Sequence, residues 1–142
     1  MSPTAYPLPS FERRLQERVR ALIPDDEIVL AAVVVISGPR PGIEGLLAPI
    51  VGAFASILNV GRKFSTIAVT DRGVLRFENS SLRQPATLVQ RFDGVGALGP
   101  FNDEGDQWME LDGQRYWIEG MWASQLFKMK RIAAGSSRPT SE

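Results

Sequence analysis

Lys63-Phe64-Ser65-Thr66-Ile67-Ala68-Val69-Thr70 alternates with a period of two, enters the turn Asp71-Arg72-Gly73, and resumes an apolar pattern at Val74, Leu75 and Phe77. Successive strand residues point to opposite faces, so the stretch reads as two strands joined by a tight turn, an antiparallel pair. Working forward, Asn79 to Pro85 reads as a polar loop. Thr87, Val89 and Arg91 alternate with Leu88, Gln90 and Phe92, a third strand. Gly94 to Pro100 is glycine-rich, with Val95, Ala97 and Leu98 as a short fourth strand, and Asn102 to Asp106 is an acidic loop. Trp108–Leu111 and Arg115–Ile118 flank Asp112-Gly113-Gln114, a strong hairpin signal. From Trp122 to Ala133 the spacing turns helical, with Trp122, Leu126, Met129 and Ala133 on one side.

Working backward, Ile28 to Ile36 is almost wholly apolar and valine-rich, a buried strand that Ser37-Gly38-Pro39-Arg40-Pro41-Gly42 stops. Between it and Lys63 lies an apolar insertion, about residues 43–60, with Glu44 as its only charge. Its uninterrupted part, Leu46 to Leu58, reads as a helix that Asn59 and Gly61 end, and it falls short of the roughly 20 apolar residues a spanning helix needs. Before the strand, Ser10 is a candidate N-cap for an amphipathic helix with Phe11, Leu15, Val19 and Leu22 on its apolar face, ending before Pro24. Asp25, Asp26 and Glu27 form an acidic connector. Residues 1–9 carry three prolines and read as a flexible lead-in, residues 135–142 as a flexible polar tail, and 10–134 as one domain. Helices at the ends of a strand meander give an α+β fold.

This layout resembles the pleckstrin-homology-like barrel: a strand, a long loop, a meander, and a C-terminal helix with a tryptophan in its first turn. Lys63 to Leu75 is similar to the Val-Thr-Asp-Arg element of bacterial members of that family. Val34 to Pro39 resembles the strand ending in Gly-Pro of some actinobacterial ones. The resemblance spans roughly residues 28–133. It implies a bent antiparallel sheet or partly open barrel with a C-terminal capping helix. It brings no catalytic residues. The phosphoinositide-binding pattern of many such domains needs basic residues in the first inter-strand loop. Residues 37–62 here offer only Arg40 and Arg62, against Glu44.

Composition narrows the chemistry. The 142 residues include no cysteine and no histidine, which removes disulfides, thiolate zinc sites, cysteine nucleophiles and Ser-His-Asp triads. Sixteen Lys plus Arg balance sixteen Asp plus Glu, so no chain-wide electrostatic footprint for nucleic acid exists. The neutrality hides a basic block (Arg62, Lys63, Arg72, Arg76, Arg83 and Arg91 among residues 62–91) and an acidic one (Asp93, Asp103, Glu104, Asp106, Glu110 and Asp112). Pairing of these charges between adjacent strands is the expectation, ahead of an anion- or RNA-facing patch. Asp103, Glu104 and Asp106 lack EF-hand spacing and read as a solvated loop rather than a calcium site. Asp93 with Glu110 is the nearest thing to a carboxylate acid–base pair. Trp108, Tyr116, Trp117 and Trp122 read as core closing a hairpin onto a helix, with Trp122 the best single core residue.

The resulting expectation is a non-enzymatic PH-like binding or scaffold module. It would self-associate through Leu46, Leu47, Ile50, Val51, Phe54, Ile57 and Leu58 of the insertion. The first alternative is peripheral membrane contact through the same segment. The second is a small-molecule-binding protein or an enzyme built on carboxylates, Lys, Ser or Tyr. No cofactor, metal, small-molecule ligand or nucleic-acid partner is read from the sequence. The first residues, Met1 to Pro9, lack the basic and apolar regions of a secretory signal, so the cytoplasm is the expected location.

Overall fold

The computed structural model describes residues 10–37, 63–81 and 84–137. The first helix, α1 (Ser10–Arg20), buries Leu15 and Val19 as its spacing predicts. Its last turn departs from the expectation. The chain tightens after Arg20 through Leu22 N–H to Val19 O and Ile23 N–H to Arg20 O. Ile23 therefore enters the core and Leu22 stays exposed.

Among the described residues seven antiparallel strands follow: β1 (Val29–Ser37), β2 (Lys63–Thr70), β3 (Gly73–Ser81), β4 (Gln84–Asp93), β5 (Leu98–Asn102), β6 (Trp108–Leu111) and β7 (Gln114–Ile118). Their order in the sheet is β4-β3-β2-β1-β7-β6-β5. The first strand thus sits in the middle and takes the last strand as its second neighbour. β1 pairs with β2 along its whole length but with β7 only at Val35↔Ile118 and Ile36↔Trp117. The sheet does not close, and β4 and β5 are its two edges. A one-turn 3-10 helix (Gly120–Trp122) leads into α2 (Ala123–Ser137), which packs on β1 and β5, while α1 packs on β1 and β4.

Several local expectations shift. The segment read as a polar loop, Asn79 to Pro85, is largely strand: β3 runs to Ser81 and β4 starts at Gln84. Register shifts around Asn79 accommodate Pro85, whose missing N–H costs little on an edge strand. The fourth candidate strand moves later, to Leu98–Asn102, because Leu98 N–H bonds Val95 O in a turn. Trp122 lies in the 3-10 turn rather than in α2, and α2 continues past Ala133 to Ser137. The β6–β7 turn is as read: Asp112 and Gly113 have φ of 53° and 82°, the twist that a two-residue hairpin turn demands.

Strand alternation gives the sheet an inner face, carrying Val33, Ile67, Val74, Met109 and Tyr116, all buried. Trp122, Leu126, Met129, Leu15 and Val19 join the same core. Phe11 meets Trp122 edge-on at 5.1 Å between ring centroids.

Two polar knots fix the helices and the connector to the sheet. Where β7 has already ended, the Ala32 N–H of β1 donates to Gln125 Oε1 at 3.1 Å. Gln125 Nε2 donates to Glu12, Gln16 Nε2 donates to Gln125, and Ser124 Oγ donates to the other Glu12 oxygen at 2.7 Å. The α2 side chain thus continues the ladder that β7 leaves off. The second knot explains the Thr70-Asp71-Arg72-Gly73 phrase. Thr70 Oγ1 accepts from the Arg72 and Gly73 amides and donates to Glu27 at 2.6 Å. Arg91 grips Glu27 with both terminal nitrogens, at 2.9 and 3.1 Å. Asp71 exchanges two bonds with Ile28, and Arg72 pairs with Asp26. Gly73 is required here, since a Cβ would stand 1.9 Å from Phe92 O.

Candidate functional site

Along the inner face the lining changes from apolar to polar toward the end where β1 stops and β2 starts. Register sets this directly. Val69 lies across from Val74, then Ile67 from Arg76 and Ser65 from Glu78, while Arg76 faces Gln90 on β4. From the other half of the sheet, Tyr116 and Gln114 of β7 and Leu111 of β6 point to the same side. Between these two walls opens a cleft of about 730 Å³.

Arg76 is its central feature. The side chain is half-buried on the inner face, and its Nε donates to Gln90 Oε1 at 2.5 Å, with Nη1 at 3.5 Å from Ser65 Oγ. These contacts hold the guanidinium plane and leave Nη2 without a protein acceptor among the described residues. Tyr116 is buried, and burial pushes its phenol above the usual range, with the Arg76 charge working the opposite way. It is therefore a neutral donor at physiological pH. The rim is mixed: Lys63, Glu78, Ser80, Asp112 and Gln114 are all exposed. One fixed cation beside neutral hydroxyls and amides can hold a singly charged anionic group on a polar body.

The interface residues expected from the sequence, Leu46, Leu47, Ile50, Val51, Phe54, Ile57 and Leu58, lie outside the described residues, as do residues 1–9 and 138–142. The charge pairing is real but has different partners from those expected. Within the basic block, Arg72 and Arg91 turn to the connector, to Asp26 and Glu27, instead of to the acidic block. That block in turn takes Arg115 (to Glu110, 3.0 Å) and Lys130 (to Asp103, 3.1 Å). Asp93 ends edge strand β4, and Glu110 on β6 is engaged by Arg115, so the imagined acid–base pair is not brought together. Asn102 Nδ2 donates to the Glu104 and Asp106 carbonyls and shapes the acidic loop. Among the described residues no group of three acidic side chains is arranged to hold a metal ion. Also among them, no helix is long and apolar enough to cross a membrane. Of the four C-terminal aromatics, Trp122 and Tyr116 are core, whereas Trp108 and Trp117 form a cross-strand pair on the outer face.

Sequence reasoning missed Ser65, Arg76, Gln90 and Tyr116 as a group. The available signal was a cation at an alternating position, Val74-x-Arg76-x-Glu78, where the pattern passes from apolar to charged within one strand. Comparison with protein-family models, with curated proteins and with solved structures finds no match to this chain.

Proposed function

We propose that this chain is a non-enzymatic binding module of pleckstrin-homology-like type that takes an anionic group of low charge at Arg76. The strand order, with the first strand between the second and the last and a helix closing the core, supports the family reading. The observation that carries the binding reading is Arg76 itself. A guanidinium held on the inner face of an open cleft by Gln90, with Nη2 turned to no protein acceptor among the described residues, is preorganised for a ligand. A rim that mixes Lys63 with Glu78 and Asp112 favours a single negative charge over a polyphosphate.

Amide NMR titration with acetate, inorganic phosphate and soluble inositol trisphosphate tests this. Shifts confined to residues 63–66, 76–81 and 114–116, abolished in Arg76→Gln at unchanged melting temperature, are expected for the monoanions. Preference for inositol trisphosphate overturns the low-charge reading, and no shift with any probe overturns the site.

The apolar composition of residues 43–60 assigns Leu46, Leu47, Ile50, Val51, Phe54, Ile57 and Leu58 to self-association in the same proposal. Light scattering across dilution checks it. A strict monomer, with Phe54→Asp and Leu58→Asp folded and unchanged, refutes it.

A further inference from the structure

Glu78 follows Arg76 by two residues on β3, so strand alternation puts both on the inner face. Against β2 the register is regular there, with Arg76 across from Ile67 and Glu78 across from Ser65. The Cα atoms of the two charged residues are therefore about 6.8 Å apart along the strand. Both side chains line the cleft, Arg76 half-buried and Glu78 exposed nearer the rim.

Opposite charges so placed are within reach of each other, yet they do not neutralise one another. Gln90 on β4 holds Nε of Arg76, and Ser65 on β2 meets Nη1 at 3.5 Å. The guanidinium is thus laid across the sheet rather than turned along β3 onto Glu78. Lys63 is one alternation beyond Ser65 on β2. Among the described residues no ion pair joins Glu78 to Arg76 or to Lys63. The wall of the cleft therefore holds a fixed dipole, positive at Arg76 and negative at Glu78.

From this dipole we infer, resting on the anion-binding reading of Arg76 above, that the cleft takes a free α-amino acid, its carboxylate on Arg76 and its ammonium on Glu78. One carbon carries both charged groups of such a ligand, and a hydrogen bond of about 2.9 Å at each end lets it bridge a gap of this order. A ligand whose charges lie on distant atoms must fold back to do the same. Ser65 and the protonated phenol of Tyr116 add donors for the carboxylate. Leu111 on the facing wall offers apolar surface to the ligand side chain. A ligand of zero net charge also suits a lining that sets Arg76 and Lys63 against Glu78 and Asp112.

NMR titration of the full chain with L-leucine tests this against three analogues. L-leucic acid replaces the ammonium by a hydroxyl, L-leucinamide removes the carboxylate charge, and glycerophosphoethanolamine sets its two charges further apart. Leucine is expected to bind tightest, with saturable shifts at amides 65–66 and 76–79. Leucic acid should bind about threefold to fivefold more weakly, the worth of one exposed ion pair. Leucinamide should give no saturable shift. Glu78→Gln should keep its melting temperature, weaken leucine to the level of leucic acid and leave leucic acid itself unchanged. Glu110→Gln, bound to Arg115 outside the cleft, should change neither. Leucic acid equal to leucine in the parent protein, equal weakening of both by Glu78→Gln, or tighter binding of glycerophosphoethanolamine overturns the amino-acid assignment and leaves the anion site at Arg76 standing. No shift with leucine, leucic acid or acetate overturns both, as does leucinamide binding as tightly as leucine.

Discussion

Replacing Glu27 by alanine removes the carboxylate at the centre of the β2–β3 knot, and the structure sets the scale of the loss. The side chain is fully buried and receives two bonds from Arg91 and one from Thr70. Hydrogen bonds to charged groups contribute about 1.5–3 kcal/mol each, and they are not additive here. Arg91 is 37% exposed, so water replaces most of what its guanidinium loses. What remains is the buried Thr70 hydroxyl, left with only the long 3.4 Å contact to Gly73 O, and the space left by the side chain. The expected destabilisation is therefore about 2–3 kcal/mol, below the ~3–5 kcal/mol for a fully buried pair. In a chain of this size the melting temperature falls by about 6–10 °C. Urea unfolding of Glu27→Ala, Arg91→Ala and the double variant measures it, and the cycle should return a coupling of about 1–2 kcal/mol. Additive effects, or a loss under about 0.5 kcal/mol for Glu27→Ala, refute the view that this ion pair anchors the connector.

The remaining expectations address neighbouring features. Arg91 and Thr70 bonding holds the Glu27 carboxyl below the ordinary glutamate range against the opposing effect of burial. Because the folded form is the stronger acid, this contribution is complete above the unperturbed value of about 4.3 and is lost as pH falls through the depressed folded value. Stability from pH 6 down to 3 should accordingly fall more steeply in the parent than in Glu27→Gln, as read by thermal melts at each pH. Gly73→Ala drives a methyl into Phe92 O and should cost about 2–4 kcal/mol or prevent folding, whereas Gly96→Ala, with open space at its Cβ, should change stability by less than about 1 kcal/mol. Gln125→Leu leaves the Ala32 amide and a Glu12 oxygen without partners and should cost about 2–4 kcal/mol, with faster hydrogen exchange at Ala32.

The parts of the fold legible in the sequence are those decided within a few residues. Asp112-Gly113 announces its turn because the positive φ required there restricts the residues that fit, and Asp71-Arg72-Gly73 because Gly73 packs where no Cβ has room. The α1 face was readable as far as Val19, but the choice of Ile23 over Leu22 depends on a turn that pulls the helix end inward. The partners of Glu27 were not readable at all: Thr70 and Arg91 lie 43 and 64 residues away, and charge patterning has no information at that range. The cleft was hidden for a related reason. That Arg76 shares a face with Tyr116 follows only from β1 joining β2 to β7, and nothing local in either segment encodes that junction. Edge strands read poorly too, because β4 is solvated on much of both faces and loses the contrast that makes alternation visible.

The central position of β1 has a consequence for the order of assembly. Its ladder is completed by Gln125, 93 residues beyond Ala32. As the chain is synthesised, β1 through β4 can zip into successive hairpins, yet one flank of the valine-rich β1 remains a bare edge until the last quarter of the protein arrives. Long loop closures of this kind are slow relative to local pairing. For that interval the most apolar strand of the molecule offers unpaired backbone to any passing strand. The final hairpin and helix therefore shield the nascent protein from mispairing, and destabilising them should show first as lost soluble yield.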